Sequence, residues 1–203
     1  SKITLNGNNL NLKGNSSQIT NGNSTNYIVT NGTGTVNVEN LNSARGTVNL
    51  PIGTATYYNP VSIANTGTSD TFSARVSDGI SNTTNGAVNA TWEISEGTAG
   101  GSNVSLTLGW NTSQQNAVFD SGTAKVGHYL NGNWTAENSG AVSNNSITAT
   151  GISSFSPFAV MNFGTLAATD FSKSKVLIYP NPFNENLNIS TENGGLVHFY
   201  DLS

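Results

Sequence analysis

Apolar residues alternate with polar residues in short segments along this chain, and turn-forming residues separate the segments. The clearest case is the run Val104, Leu106, Leu108 and Trp110, in which every second residue is apolar. A period of two is typical of a β-strand with one face in the core and the other in water. Asn-Gly pairs, which tolerate the positive φ angles of tight turns, separate several of the segments. The pattern therefore predicts an all-β fold with many short strands.

The composition supports this prediction and excludes several classes of function. Of 203 residues, 32 are Asn and 22 are Gly, whereas the residues that favour long helices are scarce. No apolar run approaches the roughly 18 residues of a transmembrane helix. A net charge of −4 with seven Lys plus Arg leaves no basic surface for nucleic acid. The absence of Cys excludes disulfides, thiolate metal sites and Cys nucleophiles.

The pattern divides the chain into four regions. Residues 1–45 carry apolar pairs between Asn-Gly turns, which fit either hairpins or the last rungs of a β-solenoid. In residues 46–163 the strands lengthen, and their number and spacing predict an antiparallel β-sandwich of the immunoglobulin-like type. Residues 164–175 lack alternation and predict a linker. Residues 176–203 predict three further strands.

One hairpin and one strand end can be predicted in detail. Val126, His128 and Leu130 lead into Asn131-Gly132 and then Trp134, which predicts a hairpin with a two-residue turn. The run 176–179 is strand-like and is followed by Pro180-Asn181-Pro182. Each Pro fixes φ and lacks an N–H donor, so the strand cannot continue through this segment.

The last region resembles the start of the type A C-terminal sorting domain of Bacteroidetes type IX secretion cargo. The resemblance is carried by three ordered segments: Ile178-Tyr179-Pro180-Asn181-Pro182-Phe183, then Leu187-Asn188-Ile189, then Val197-His198-Phe199-Tyr200-Asp201-Leu202-Ser203. It covers only part of the family's domain, which is immunoglobulin-like and continues for several more strands. The middle region is also similar to a module often found before that domain, through segments between Tyr27 and Val160 such as Leu50-Pro51-Ile52-Gly53 and Phe155-Ser156-Pro157-Phe158.

This resemblance implies an exported cargo protein. Its sorting domain would be recognised by the outer-membrane translocon and its shuttle protein, and a surface sortase would remove it. The location implied is the cell surface or the extracellular space. The residues implied in recognition of the export signal are Tyr179, Pro180, Asn181, Pro182, Phe183, Leu187, Ile189, Phe199 and Tyr200.

Residues that could support catalysis are few and scattered. His128 and His198 each lie on a strand pattern with no second His nearby in sequence, so we expect local hydrogen bonds and no metal site. Glu93 and Glu96 follow Trp92, but nothing marks a cleft between them, and we expect a solvated strand edge. We therefore predict no catalytic residues, no metal and no cofactor, and we do not expect an enzyme.

The three tryptophans suggest an alternative. Trp92 and Trp110 are in register with apolar neighbours, and we expect both in the core. Trp134 follows a turn among polar residues, so its ring is the candidate for stacking on a surface glycan. The sequence thus predicts the C-terminal portion of an exported adhesin- or stalk-like protein. The alternative is a carbohydrate-binding accessory module of a larger secreted polysaccharide-active enzyme.

Overall fold

The chain divides into two compact units, Ser1–Phe163 and Gly164–Ser203, in a computed structural model. The structure describes residues 1–163, and in the second unit it describes the strands 177–179 and 188–190. The predicted linker, the predicted third sorting-domain strand and the segment 180–187 lie outside the described residues.

The described residues form strands, turns and one short 3₁₀ helix, Thr112–Gln114, and they contain no α-helix. The strands of the first unit are β1 (Lys2–Thr4), β2 (Leu10–Leu12), β3 (Tyr27–Val29), β4 (Val36–Leu41), β5 (Val48–Leu50), β6 (Ile52–Gly53), β7 (Val61–Asn65), β8 (Asp70–Asp78), β9 (Ala90–Glu96), β10 (Val104–Gly109), β11 (Ala124–Leu130), β12 (Asn133–Ala136), β13 (Ser146–Ile152) and β14 (Pro157–Asn162). Those of the second unit are β15 (Leu177–Tyr179) and β16 (Asn188–Ser190). The prediction of an all-β fold is confirmed.

Two sheets make up most of the first unit. One has seven strands in the order β12-β11-β14-β9-β8-β4-β2, and the other has four in the order β13-β10-β7-β5. Neighbouring strands are antiparallel except for β2 and β4. Side chains from both sheets form one buried apolar cluster, as expected for a β-sandwich. The immunoglobulin-like topology stays a prediction.

The alternation in the sequence maps directly onto burial in the sandwich. In β10, Val104, Leu106 and Leu108 are buried, whereas Ser105 and Thr107 between them are half-exposed. From the larger sheet, Phe72, Trp92 and Phe158 are almost completely buried. Successive side chains of a strand point to opposite faces, so the apolar set of each strand faces the core.

The first strands pair in parallel rather than as hairpins. β1 pairs with β3, β3 pairs with β6, and together they form a three-stranded parallel sheet. β2 pairs in parallel with β4, which lies beside β8 in the seven-stranded sheet. The hairpin alternative for these strands is therefore wrong, although Asn6-Gly7 does turn the chain. The boundary expected near residue 45 lies inside the first unit, since β4 belongs to the same sheet as the later strands.

The predicted hairpin is present, and two of the predicted strands near the end of the chain pair with each other. β11 and β12 are antiparallel and are joined by Asn131 and Gly132, whose φ angles are 50° and 84°. Two positive φ angles are typical of a type I′ turn, which joins the two strands of the predicted hairpin. In the second unit, β15 and β16 are antiparallel, with Ile178 opposite Ile189 and Tyr179 opposite Asn188.

Candidate functional site

The β11–β12 hairpin holds two aromatic rings side by side at the edge of the seven-stranded sheet. Tyr129 of β11 is the cross-strand partner of Trp134 of β12. Directly opposed residues share one face of a sheet, so the rings lie together, with centroids 5.0 Å apart and planes tilted by 52°. Both side chains are partly exposed. The hairpin register therefore creates an aromatic surface at the edge of the sheet.

Hydrogen bonds from one loop fix the position of both rings. The indole Nε1 of Trp134 donates to the backbone oxygen of Ser81 at 2.8 Å. The side-chain amide of Asn82 donates to the hydroxyl of Tyr129. Asn82 itself has a φ of 57°, a backbone conformation that Asn tolerates better than most residues. The loop thus occupies the polar atoms of the aromatic pair and leaves ring surface for contact with a ligand.

Gly127 allows the Trp134 ring to lie close to the strand beneath it. A Cβ atom at this position would lie 3.2 Å from Cε3 of Trp134 and 3.1 Å from Sδ of Met161. At distances this short the neighbours would have to move by a few tenths of an ångström to admit a Cβ atom. The absence of a side chain at Gly127 is therefore part of the site.

Two clefts adjoin the aromatic pair, and Asn82 and Trp134 line both of them. One has a volume of about 280 Å³ and is lined by Ser81, Asn82, Thr91, Tyr129, Trp134 and Pro157. The other has a volume of about 270 Å³ and is lined by Asn82, Thr83, Thr84, Asn85, Asn133, Trp134, Met161 and Phe163. The lining combines aromatic faces with amides and hydroxyls, and it contains no charged side chain. This chemistry suits a small, neutral, polyhydroxylated ligand.

A third cleft of the first unit lies elsewhere and has a volume of about 370 Å³. Its aromatic wall is Tyr58, which packs against Tyr27 with ring centroids 5.4 Å apart. Burial raises the pKa of the Tyr58 phenol above its usual value. Asn21, Asn49 and Ser62 also line this cleft. It offers one aromatic side chain where the β11–β12 site offers two.

The other two tryptophans belong to the core, as predicted. Trp92 is completely buried, and its Nε1 donates to the backbone oxygen of Asn59 at 3.3 Å. Trp110 is also buried and packs edge-on against Phe119, with ring centroids 6.0 Å apart. Neither ring is accessible to a ligand.

The predicted hydrogen bond of His128 is present. The ring is buried, its Nδ1 lies 2.8 Å from Oε1 of Glu137, and it stacks on Phe158 with centroids 4.4 Å apart. Within the described part of the chain, no three metal-ligating side chains are grouped to hold an ion.

Glu93 and Glu96 engage different partners. Glu93 forms an ion pair with Arg75 at 2.6 Å. Glu96 accepts a hydrogen bond from the hydroxyl of Ser102 at 2.6 Å. Both carboxylates are thus held by contacts on the sandwich surface. The expected strand edge is wrong for Glu93, because β9 lies between β14 and β8 inside the seven-stranded sheet.

The export-signal residues are only partly described. Tyr179 is the last residue of β15, and Ile189 lies in β16. Pro180, Asn181, Pro182, Phe183, Leu187, Phe199 and Tyr200 lie outside the described residues. No helix among the described residues is long and apolar enough to cross a membrane. No protein-family model matches the chain, and no curated protein or solved structure shows significant similarity to it.

Sequence reasoning identified Trp134 and missed its partners. The two-residue turn Asn131-Gly132 fixes the register, and counting outward from it places Tyr129 opposite Trp134. That signal was available in the sequence. The contacts from Ser81 and Asn82 join residues about 50 positions apart, and no local pattern indicates them.

Proposed function

We propose that this chain is the C-terminal portion of an exported bacterial surface or secreted protein, with an adhesin- or stalk-like role. Its terminal region would be the type IX export signal, bound by the outer-membrane translocon and its shuttle protein and cut by a surface sortase. The observation that supports this is the β15–β16 pair, because β15 ends at Tyr179, immediately before Pro180-Asn181-Pro182.

The mechanism in this proposal is recognition of a folded signal. Pro180 and Pro182 lack N–H donors and restrict the residues before them to extended conformations. A strand that ends in this way presents a rigid segment in a fixed position, which lowers the entropic cost of binding. The sandwich would act as a stalk, spacer or adhesion module. In this proposal the sandwich is of the immunoglobulin-like type, and the short strands of residues 1–45 form the end of a β-solenoid.

Deleting the residues from Val176 onward in the full-length gene tests the export signal. We expect the truncated protein to accumulate in the periplasm, because the translocon and shuttle would have no signal to bind. Fractionation followed by protease accessibility of intact cells measures the distribution. A Trp134→Ala variant, which retains the signal, is the control and should reach the surface normally. Normal surface display of the deletion variant would refute the proposal.

A second candidate function is favoured by the aromatic clefts. We propose as the alternative a carbohydrate-binding module of a larger secreted polysaccharide-active enzyme. This alternative is supported by the Tyr129–Trp134 pair, whose polar atoms already form hydrogen bonds with Ser81 and Asn82. Aromatic faces stack on the C–H face of a pyranose ring, and the surrounding amides and hydroxyls can bond its hydroxyl groups. Since no charged side chain lines either cleft, the expected ligand is a neutral glycan.

Glycan-array screening followed by calorimetry on Trp134→Ala tests this alternative. We expect the substitution to weaken binding about tenfold or more, equivalent to about 1.4 kcal/mol, because a stacking face is lost. Tyr58→Ala, in the separate cleft beside Tyr27, is the matched control and should leave the affinity unchanged. Circular dichroism checks that both variants fold. An array without neutral-glycan hits, or equal losses in the two variants, would count against the site.

A further inference from the structure

The first two strands stack as a unit on the next two. Residues 2–12, comprising β1, a turn and β2, lie against β3 and β4 in parallel register. Ile3 is opposite Ile28, and Asn11 is opposite Asn37. Ile28 is in turn opposite Ile52 of β6. The paired residues are 24 to 26 positions apart in sequence, so successive turns of the chain have nearly equal length.

The backbone contact continues through the turn between the strands. Leu5 N donates to Val29 O at 3.0 Å, Gly34 N donates to Asn6 O at 2.8 Å, and Leu10 N donates to Thr35 O at 2.9 Å. A Cβ atom on Gly34 would lie only 2.2 Å from the carbonyl oxygen of Asn8. Glycine is required where two backbones approach so closely. Residues 2–12 therefore form one coil that is stacked along its whole length.

Like side chains stack in the same direction. The amide of Asn37 donates to Oδ1 of Asn11 at 2.7 Å, which begins a ladder of amides. On the other strands, Ile52 and Ile28 are buried at 0% and 4% exposure, whereas Ile3 is 64% exposed. The column of isoleucines therefore ends at Ile3, which is covered on one side only, by the strand that contains Ile28.

The outer edge of this coil is open. β1 is the terminal strand of the three-stranded sheet and β2 is the terminal strand of the seven-stranded sheet, among the strands that the structure describes. Because Leu5 N and Leu10 N point inward and donor direction alternates along a strand, the amides of Thr4 and Asn11 face outward. The Lys2 side chain does not block pairing at this edge, because its ammonium group donates to Ala55 O at 2.7 Å. No Pro occurs before Pro51 to block further pairing.

We propose that a further parallel β-coil docks on β1 and β2, and that the polypeptide preceding residue 1 in the full-length protein supplies it. This rests on the proposed function, in which the chain is the C-terminal portion of a longer protein. The coil places an apolar side chain over Ile3 and an amide or hydroxyl over Asn11, continuing both columns. The same polypeptide is the fitting source because parallel pairing needs a long connection, which coils of about 25 residues provide.

Hydrogen exchange on the full-length protein and on the 203-residue chain tests this docking. We expect the amides of Thr4 and Asn11 to exchange at least about tenfold more slowly in the full-length protein, because they gain a strand partner. Leu5 and Leu10, whose amides are already bonded inward, are internal controls and should change little. Equal exchange of Thr4 and Asn11 in both proteins would overturn the proposal. So would slow exchange already in the 203-residue chain, which would show that this chain or a second copy covers the edge.

A charge substitution provides an independent readout. Ile3→Lys should lower the melting temperature of the full-length protein by about 3 °C or more, since it buries a charge under the added coil. It should not change the melting temperature of the 203-residue chain. Val118→Lys is the matched control, because Val118 is 66% exposed, and it should be neutral in both proteins. A neutral Ile3→Lys in the full-length protein would contradict the docking. Export of that protein would be unaffected, so this failure is distinct from failure of the export proposal.

Discussion

Asparagine occupies the positions of this fold that have a left-handed backbone conformation and are not glycine. Every non-glycine residue with a positive φ in the described part of the chain is an Asn, and there are seven: Asn6, Asn21, Asn40, Asn82, Asn131, Asn144 and Asn145. Asn adopts this conformation at lower cost than other L-residues because its short polar side chain can bond locally. Positive φ angles therefore account for seven of the 32 Asn residues of the chain.

Buried amides also hold the interior together. The side chains of Asn59 and Gln114 are both buried, and Asn59 Nδ2 donates to Gln114 Oε1 at 2.8 Å. The oxygen of Gln114 accepts a second bond from the backbone of Asn111 at 3.0 Å. Buried polar groups need such partners, and leaving one unpaired costs about 1–3 kcal/mol. The sequence did not indicate this pair, because its members are 55 residues apart and each resembles a surface amide.

Tyr58 should make the stability of the protein sensitive to alkaline pH. Burial raises the pKa of its phenol, so the folded state holds the proton more tightly than the unfolded state. The contribution of Tyr58 to the free energy of unfolding is fully present below the unfolded pKa of about 10. It is lost as the pH rises through the higher pKa of the folded state. Tyr58→Phe should therefore flatten the loss of stability above about pH 10. Urea unfolding from pH 8 to pH 11 measures this, with Tyr57→Phe as the control; parallel curves for wild type and Tyr58→Phe would contradict it.

At the scale of elements, alternation located the strands but did not determine all of their partners. β10 lies where Val104, Leu106 and Leu108 placed it, because a period of two leaves one face apolar. The Asn6-Gly7 turn was compatible with a hairpin, yet β1 and β2 pair with different strands. The φ preference of Asn-Gly specifies a reversal or corner of the chain. Pairing depends on stacking partners about 25 residues away, which a local pattern does not reveal.

The β11–β12 hairpin shows which parts of the candidate site could be predicted from the sequence. Its turn and the surface position of Trp134 followed from Asn131-Gly132 and the flanking alternation, although the pairing with Tyr129 was not predicted. The loop that bonds Trp134 and Tyr129 did not, because Ser81 and Asn82 approach only through tertiary folding. The hairpin supplies the rings, and the distant loop fixes their orientation. The two rings are therefore brought together by residues close in sequence, whereas the loop that orients them is distant in sequence.

At the scale of the whole molecule, the apolar core that the structure describes lies in the first unit. The buried cluster runs from Leu5 to Val160 and includes side chains of both sandwich sheets and of the parallel strands. The last strand of this unit, β14, lies between β11 and β9 in the middle of the seven-stranded sheet. The unit therefore closes only when the chain has passed Asn162, which agrees with the division after Phe163. This arrangement predicts where the chain can be cut without loss of the fold.

A chain ending at Phe163 should fold and melt within about 2 °C of the 203-residue chain, a difference below about 1 kcal/mol for a protein of this size. The reason is that, among the residues whose burial the structure describes, all members of the buried cluster come before Phe163. A chain ending at Phe155 is the matched control: it lacks β14, leaves β9 and β11 without their shared neighbour, and should lose cooperative unfolding. Calorimetry of the three chains measures both effects. A large drop in the melting temperature of the longer truncation would mean that residues after 163 support the core.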